Sequence, residues 1–225
     1  MNLKNIITIA KKDLTIEFRT KHTITSMLIF AGITLFVFSY LIGVYIRTVP
    51  DIGPGLLWLI FIFTGMLGLS RAFLRESELG TLEGLKLSPV RPEEILCGKI
   101  IYNFILMLVV TGVVFPLFII FFNFQIEGSA VLALFILALG NLGFVIVGSA
   151  MSILVMNAKA RELMLPVILF PVLFPVIIAS VLALKKVLVD GAAFINITGE
   201  VKLITAYTVI MLVISLLTFE YALEE

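Results

Sequence analysis

The sequence predicts an all-α integral membrane protein: six transmembrane helices preceded by an amphipathic helix, with both termini in the cytoplasm. Three observations predict it. Of the 225 residues, 61% are hydrophobic and 14% charged and the mean hydropathy is +1.19, whereas a soluble domain has about a quarter of its residues charged. Six stretches stay apolar for roughly the 20 residues that a helix needs to cross a hydrocarbon core about 30 Å thick. No run alternates apolar and polar residues between short turns as barrel strands do, so the backbone must satisfy its hydrogen bonds within helices.

The chain starts with a segment that is not a span. Within residues 1–23, Leu3, Ile7, Ala10, Leu14 and Phe18 fall on one helical stripe, with Lys4, Lys11, Lys12 and Thr15 largely elsewhere. A basic amphipathic helix beside a span reads as one lying in the membrane interface. A simple anchor and an elbow that touches a partner both fit it. The segment lacks an unbroken apolar core before a small-residue cleavage site, so no signal peptide is expected.

The spans are expected at about 24–46, 54–72, 100–122, 129–156, 163–184 and 202–220. The second ends near Arg71, which must snorkel, and the fourth is long enough to tilt. That fourth span carries Asn141 among Gly140, Gly143, Gly148, Ser149 and Ala150, small residues that let helices approach closely. Gly140, Asn141 and Gly143 are therefore expected to pack helices together, across a dimer interface or within the chain. A substrate contact is the other role open to Asn141. The fifth span holds Pro166, Pro171 and Pro175. Each removes a backbone donor and crowds the preceding turn, so a bend or break is expected, as a hinge for conformational change or as a permanent kink.

Orientation follows from the basic residues near the span ends. With the N-terminus inside, the cytoplasmic side collects Lys4, Lys11, Lys12, Arg19, Lys21, Arg71, Arg75, Lys86, Arg91, Lys99, Lys159 and Arg161. The opposite side keeps Arg47, Lys185, Lys186 and Lys202. Both termini are therefore expected in the cytoplasm. The net charge of +1 says nothing about partners and no nucleic-acid partner is expected, while the single Cys97 excludes an internal disulfide or a cysteine-rich metal site.

Residues 71–99 break the apolar pattern, with ten of the chain's 31 charged residues in 29 positions. Glu76, Glu78, Leu79, Leu82, Glu83, Leu85 and Lys86 fit a short amphipathic helix in which Gly80 and Thr81 permit a bend. Ser88-Pro89 ends it. Pro92-Glu93-Glu94 then starts another helix, with proline near its first position and acids in the first turn, where the helix dipole favours them. That helix runs through Gly98-Lys99 into the third span. A solvated connector is the alternative, but long loops in compact chains are often functional. Cys97-Gly98-Lys99 is no phosphate-binding loop: Glu93 stands where that motif needs glycine, and Ile100 where it needs Ser or Thr.

The order Arg75-Glu76-x-Glu78-x-Gly80-Thr81-Leu82-Glu83, Ser88-Pro89, Glu94 and Gly98-Lys99 resembles the cytoplasmic loop of type-2 ABC exporter permeases. That resemblance implies a coupling helix docking into a cleft of an ATPase subunit, with Glu76, Glu78, Gly80, Thr81, Leu82, Glu83 and Pro89 as coupling residues. Three stretches narrow it further: "KKDLTIEFRTKHTITSMLIF" at 11–30, "PGLLWLIFIFTGMLGLSRAFLRESELGTLEGLKLSPV" at 54–90 and "ARELMLPVILFPVLFPVIIAS" at 160–180. These are similar to the CcmB family, the haem-exporter permease of the cytochrome c maturation system, over nearly the whole chain.

The resemblance implies one ABC permease membrane domain over residues 1–225 and a location in a bacterial-type cytoplasmic (inner) membrane. The partners it implies are a CcmA-type ATPase, a CcmC-type haem-handling protein, a small CcmD-type subunit, the haem chaperone CcmE and, by analogy, a second copy of the chain. ATP would sit on the ATPase and haem on partner subunits, so no cofactor and no catalytic residue is expected here. The residues agree. His22, the single histidine, precedes the first span, Trp58 is alone, and the eight methionines are scattered through apolar spans, which suits core filling. A type-2 permease for a lipid, drug or polysaccharide is the runner-up. A stand-alone secondary transporter fits less well, because apart from Arg71 no charge falls well inside a span.

Overall fold

The computed structural model describes residues 2–42, 49–70, 80, 84, 90–155 and 161–224. Its long elements are α1 (Leu3–Thr20), α2 (His22–Ile42), α3 (Val49–Ser70), α4 (Pro92–Phe122), α5 (Ala130–Leu154), α6 (Arg161–Leu188) and α7 (Thr198–Glu224), with a 3-10 turn at Phe194–Ile197 before α7. Six of these, α2 to α7, are long and apolar enough to cross a membrane. The chain is a multi-pass helical membrane protein.

Side-chain contacts fix how the spans alternate. At one end of the bundle the Ser39 hydroxyl donates to the Phe121 carbonyl (2.8 Å), so α2 and α4 finish together. A Cβ built on Gly53, at the start of α3, would meet the rings of Phe124 and Phe118 there. At the same end Lys185 of α6 pairs with Asp51 (2.9 Å), and Lys186 pairs with Glu200 of α7. At the other end Asn103 of α4 bonds Ser149 of α5, and Leu69 of α3 lies against Gly148. Successive spans therefore run in opposite directions, and both ends of the chain lie on one side of the bundle.

Burial sorts the spans. Of the most apolar stretch of each, 67% of α3 and 56% of α5 is buried, against 39% for α4 and α6 and 17% for α2 and α7. Helices α3 and α5 form the centre, and α2 and α7 the flanks. The centre is tight: a Cβ on Gly148 would stand 2.2 Å from Leu69 Cδ1, a separation that only glycine permits. The flanks turn Phe36 (63% exposed) and Leu217 (69% exposed) outward, as helices surrounded by acyl chains do.

Three elements are informative beside the sequence expectation: the start of α4 agrees with it, and α6 and α1 differ from it. Helix α4 begins at Pro92 and holds 31 residues, or about 46 Å at 1.5 Å per residue, well beyond a hydrocarbon core of about 30 Å. Its first turns therefore project past the core. Helix α6 runs unbroken through Pro166, Pro171 and Pro175. The third concerns α1. Of its expected stripe, Leu3, Ile7 and Phe18 are exposed, Leu14 is half-buried and Ala10 alone is buried. The face turned to the protein is Ile6, Ile9, Ala10 and Glu17 instead.

Candidate coupling site

The charged segment leads directly into α4, so whatever holds the start of α4 decides where a push on that segment would go. Helix α1 holds it. The Glu94 carboxylate, in the first turn of α4, accepts a hydrogen bond from Asn5 Nδ2 (2.8 Å) and another from the Asn2 backbone N–H. One turn on, Gly98 lets the two helices touch: a Cβ there would stand 2.8 Å from Ile9 Cβ and 3.2 Å from the Ile6 carbonyl. The next residue, Lys99, is 2% exposed and its ammonium lies 2.9 Å from Asp13 Oδ2. Tyr102 reaches Glu17, its hydroxyl 3.5 Å from Oε2.

Glu17 also fixes the elbow between α1 and α2. Helix α1 ends on Lys21, which takes the left-handed conformation at φ 55°, and α2 starts at the next residue. The first amides of α2 have no carbonyl within the helix to bond. Glu17 Oε1 fills that role, accepting from the N–H groups of Thr23 (2.7 Å) and Ile24 (2.9 Å). One carboxylate thus caps α2 and faces α4. From Asn2 to Glu17 α1 advances 15 residues while its partners on α4 advance 8, from Glu94 to Tyr102. The two helices are therefore inclined, and α1 descends along the projecting turns of α4.

Further along, α4 is joined to α5 by two polar rungs. Asn103 Nδ2 donates to Ser149 Oγ (3.0 Å). Asn141 Nδ2 donates to Thr111 Oγ1 (2.8 Å), whose hydroxyl donates in turn to the Met107 carbonyl (2.7 Å). The rungs lie eight residues apart on both helices, as an antiparallel pair requires. Gly140 seats α5 against α3 and α6: a Cβ there would meet the Trp58 ring at 2.5 Å and Ser180 Oγ at 2.6 Å. Gly143 faces Thr208 and Val176. Asn141 Oδ1, Trp58 Nε1, Thr64 Oγ1 and Ser180 Oγ are buried with no hydrogen-bond partner among the described residues.

Along α6, Pro171 and Pro175 are exposed and Pro166 half-buried, so their rings face outward rather than into the bundle. The Tyr207 hydroxyl of α7 donates to the Val172 carbonyl (2.6 Å), three residues before Pro175, where the ring disturbs the helical ladder. A neighbouring helix thereby supplies a bond at the weakened turn.

Of the expected coupling residues, Glu76, Glu78, Thr81, Leu82, Glu83 and Pro89 lie outside the described residues. Gly80 is exposed in a turn at φ 67°, a conformation that glycine adopts without the penalty other residues carry. Asp13 and Glu17 were not singled out from the sequence. A signal was available: they are the two acids among the first 50 residues, on a helix otherwise rich in lysine, four residues apart and so on one face. Among the described residues no group of three His, Cys, Asp or Glu side chains is placed to hold a metal ion.

Comparison with known proteins identifies the family. The family model for CcmB protein matches residues 4–225. A curated relative, heme exporter protein B of Pseudomonas aeruginosa, is 24% identical over 168 residues, covering 75% of each chain. A match that runs through α1, the charged segment and all six spans leaves a single assignment: the chain belongs to the CcmB family.

Proposed function

We propose that this chain is the membrane permease subunit of an ABC-type complex in cytochrome c maturation, coupling ATP hydrolysis by a separate subunit to haem export or to release of a haem-loaded chaperone. The observation that carries the reading is the family match over residues 4–225, seconded by a relative named for haem export. In this reading residues 76–89 meet the ATPase. Closure of that partner displaces the segment and with it the first turns of α4. Because Glu94, Lys99 and Tyr102 tie α4 to α1, and Glu17 ties α1 to α2, the displacement reaches two spans at once. The Asn103–Ser149 and Asn141–Thr111 rungs carry it to α5, and the proline-bearing α6 absorbs the change of shape.

The α1 side is the cytoplasmic side, as the distribution of Lys and Arg favours, and both termini lie there. On the opposite side Lys185 and Lys186 are matched by Asp51 and Glu200. Helix α1 lies at the cytoplasmic membrane surface, and the membrane is the bacterial inner one. Haem and ATP are held by partner subunits of the CcmA, CcmC, CcmD and CcmE types, and this chain performs no catalysis.

Deletion of the chain in its native host tests the reading. Covalent haem on c-type cytochromes, read by peroxidase staining of denaturing gels, is expected to vanish while b-type haem persists, and to return with the plasmid-borne gene. Unchanged c-type staining in the deletion strain would overturn the assignment to cytochrome maturation.

A further inference from the structure

Helix α1 has three faces. Taken round the helix at about 100° per residue, Ile9, Asp13, Ile6, Glu17 and Ala10 form the face against α4. Next come Leu3, Leu14, Ile7 and Phe18, of which Leu3, Ile7 and Phe18 are 70%, 59% and 50% exposed. The remaining arc holds Lys11, Lys4, Thr15, Thr8, Arg19 and Lys12, all exposed. Both acids of the helix are engaged on the inner side, Asp13 with Lys99 and Glu17 at the α2 elbow. Lys12 has Asp13 as a neighbour at 3.3 Å, but Lys4, Lys11, Arg19 and Lys21 present their charge outward.

We propose that this outer side of α1 is a binding site for anionic phospholipid headgroups, with the basic arc on the phosphates and the apolar arc between the first acyl carbons. The inference rests on α1 lying at the membrane surface and does not depend on haem as cargo. Position supports it, since Lys21 alone separates α1 from a membrane-crossing helix. Over its whole length α1 follows eight residues of α4, a descent of about 12 Å at 1.5 Å per residue. Every cation on it therefore lies near headgroup charge, on the scale of a Debye length of about 8–10 Å. Charge complementarity selects the ligand: every charged side chain on the exposed arc, Lys4, Lys11, Lys12 and Arg19, is a cation. Binding to an anionic surface gains roughly fivefold per cation.

The test uses the purified full chain in neutral detergent, titrated with phosphatidylglycerol or phosphatidylcholine of identical acyl chains, bound lipids being counted by native mass spectrometry. The wild type is expected to bind phosphatidylglycerol more tightly. Replacing four cations together (Lys4→Gln, Lys11→Gln, Arg19→Gln and Lys21→Gln) is expected to weaken that lipid by roughly 600-fold and leave phosphatidylcholine unchanged. Equal binding of the two lipids to the wild type, or a preference that survives the fourfold replacement, overturns the proposal. So does a variant that keeps the lipid preference but no longer co-purifies an ATPase, since the arc would then be a protein-docking surface. A second variant, Ile7→Ser with Phe18→Ser, separates the premise from the inference. If α1 lies in the interface both lipids weaken alike; if neither changes, α1 does not sit on the membrane and the proposal falls with its premise.

Discussion

Lys99 is a buried cation whose charge is tolerable because Asp13 lies 2.9 Å away. Removing one member of such a pair strands the other, which typically costs about 3–5 kcal/mol, whereas replacing both by apolar residues of similar size is often neutral. Asp13→Leu alone is therefore expected to lower the unfolding free energy of the protein in mixed micelles by several kcal/mol, and Asp13→Leu with Lys99→Met to recover most of it. Glu17 makes a different kind of prediction, because its Oε1 accepts from two backbone amides of α2. Glu17→Gln keeps an acceptor there and is expected to be mild. Glu17→Ala leaves the amides without one and should cost about 1–3 kcal/mol, read in the same titration. Gly140→Ala would place a methyl 2.5 Å from the Trp58 ring; overpacking of that kind costs typically about 1–3 kcal/mol and should show as a lowered melting temperature.

At the scale of elements, the hydrophobic runs give away the spans and little more. Pro92 with Glu93 and Glu94 marks the start of α4 eight residues before its apolar run, because capping chemistry is local and readable. The inner face of α1 is not readable in the same way. Its exposed apolar arc and its buried arc are both partly apolar, and the buried one carries Asp13 and Glu17, which burial statistics assign to solvent. Only the position of Lys99 on another helix, 86 residues later in the chain, reverses that assignment. The prolines of α6 show the same limit. Their missing donors are evident in sequence, but the Tyr207 bond to the Val172 carbonyl depends on how α7 lies against α6. If that bond compensates for Pro175, Tyr207→Phe should cost about 1 kcal/mol in the wild type and clearly less in a Pro175→Ala background. Equal costs in the two backgrounds would show that the hydroxyl and the proline are unrelated.

At the scale of the whole molecule, the family was legible in the sequence because its markers are contiguous: the charged segment, the proline-rich span and the basic leader. The joint at the start of α4 is assembled from α1, α2 and α4 and has no contiguous signature. In the proposed coupling, a push on the charged segment would enter a helix tied to α1 and, through Glu17, to α2. The proposed coupling needs a partner that does the pushing. The most direct measurement is affinity purification of the tagged chain from native membranes in mild detergent, followed by mass spectrometry of what accompanies it. A separate ATPase with a phosphate-binding loop is expected to follow the wild type, and to be lost with Glu83→Lys while membrane insertion is unaffected. Recovery of the intact membrane subunits with no ATPase, or an ATPase that remains bound to Glu83→Lys as to the wild type, would contradict the coupling role of the segment.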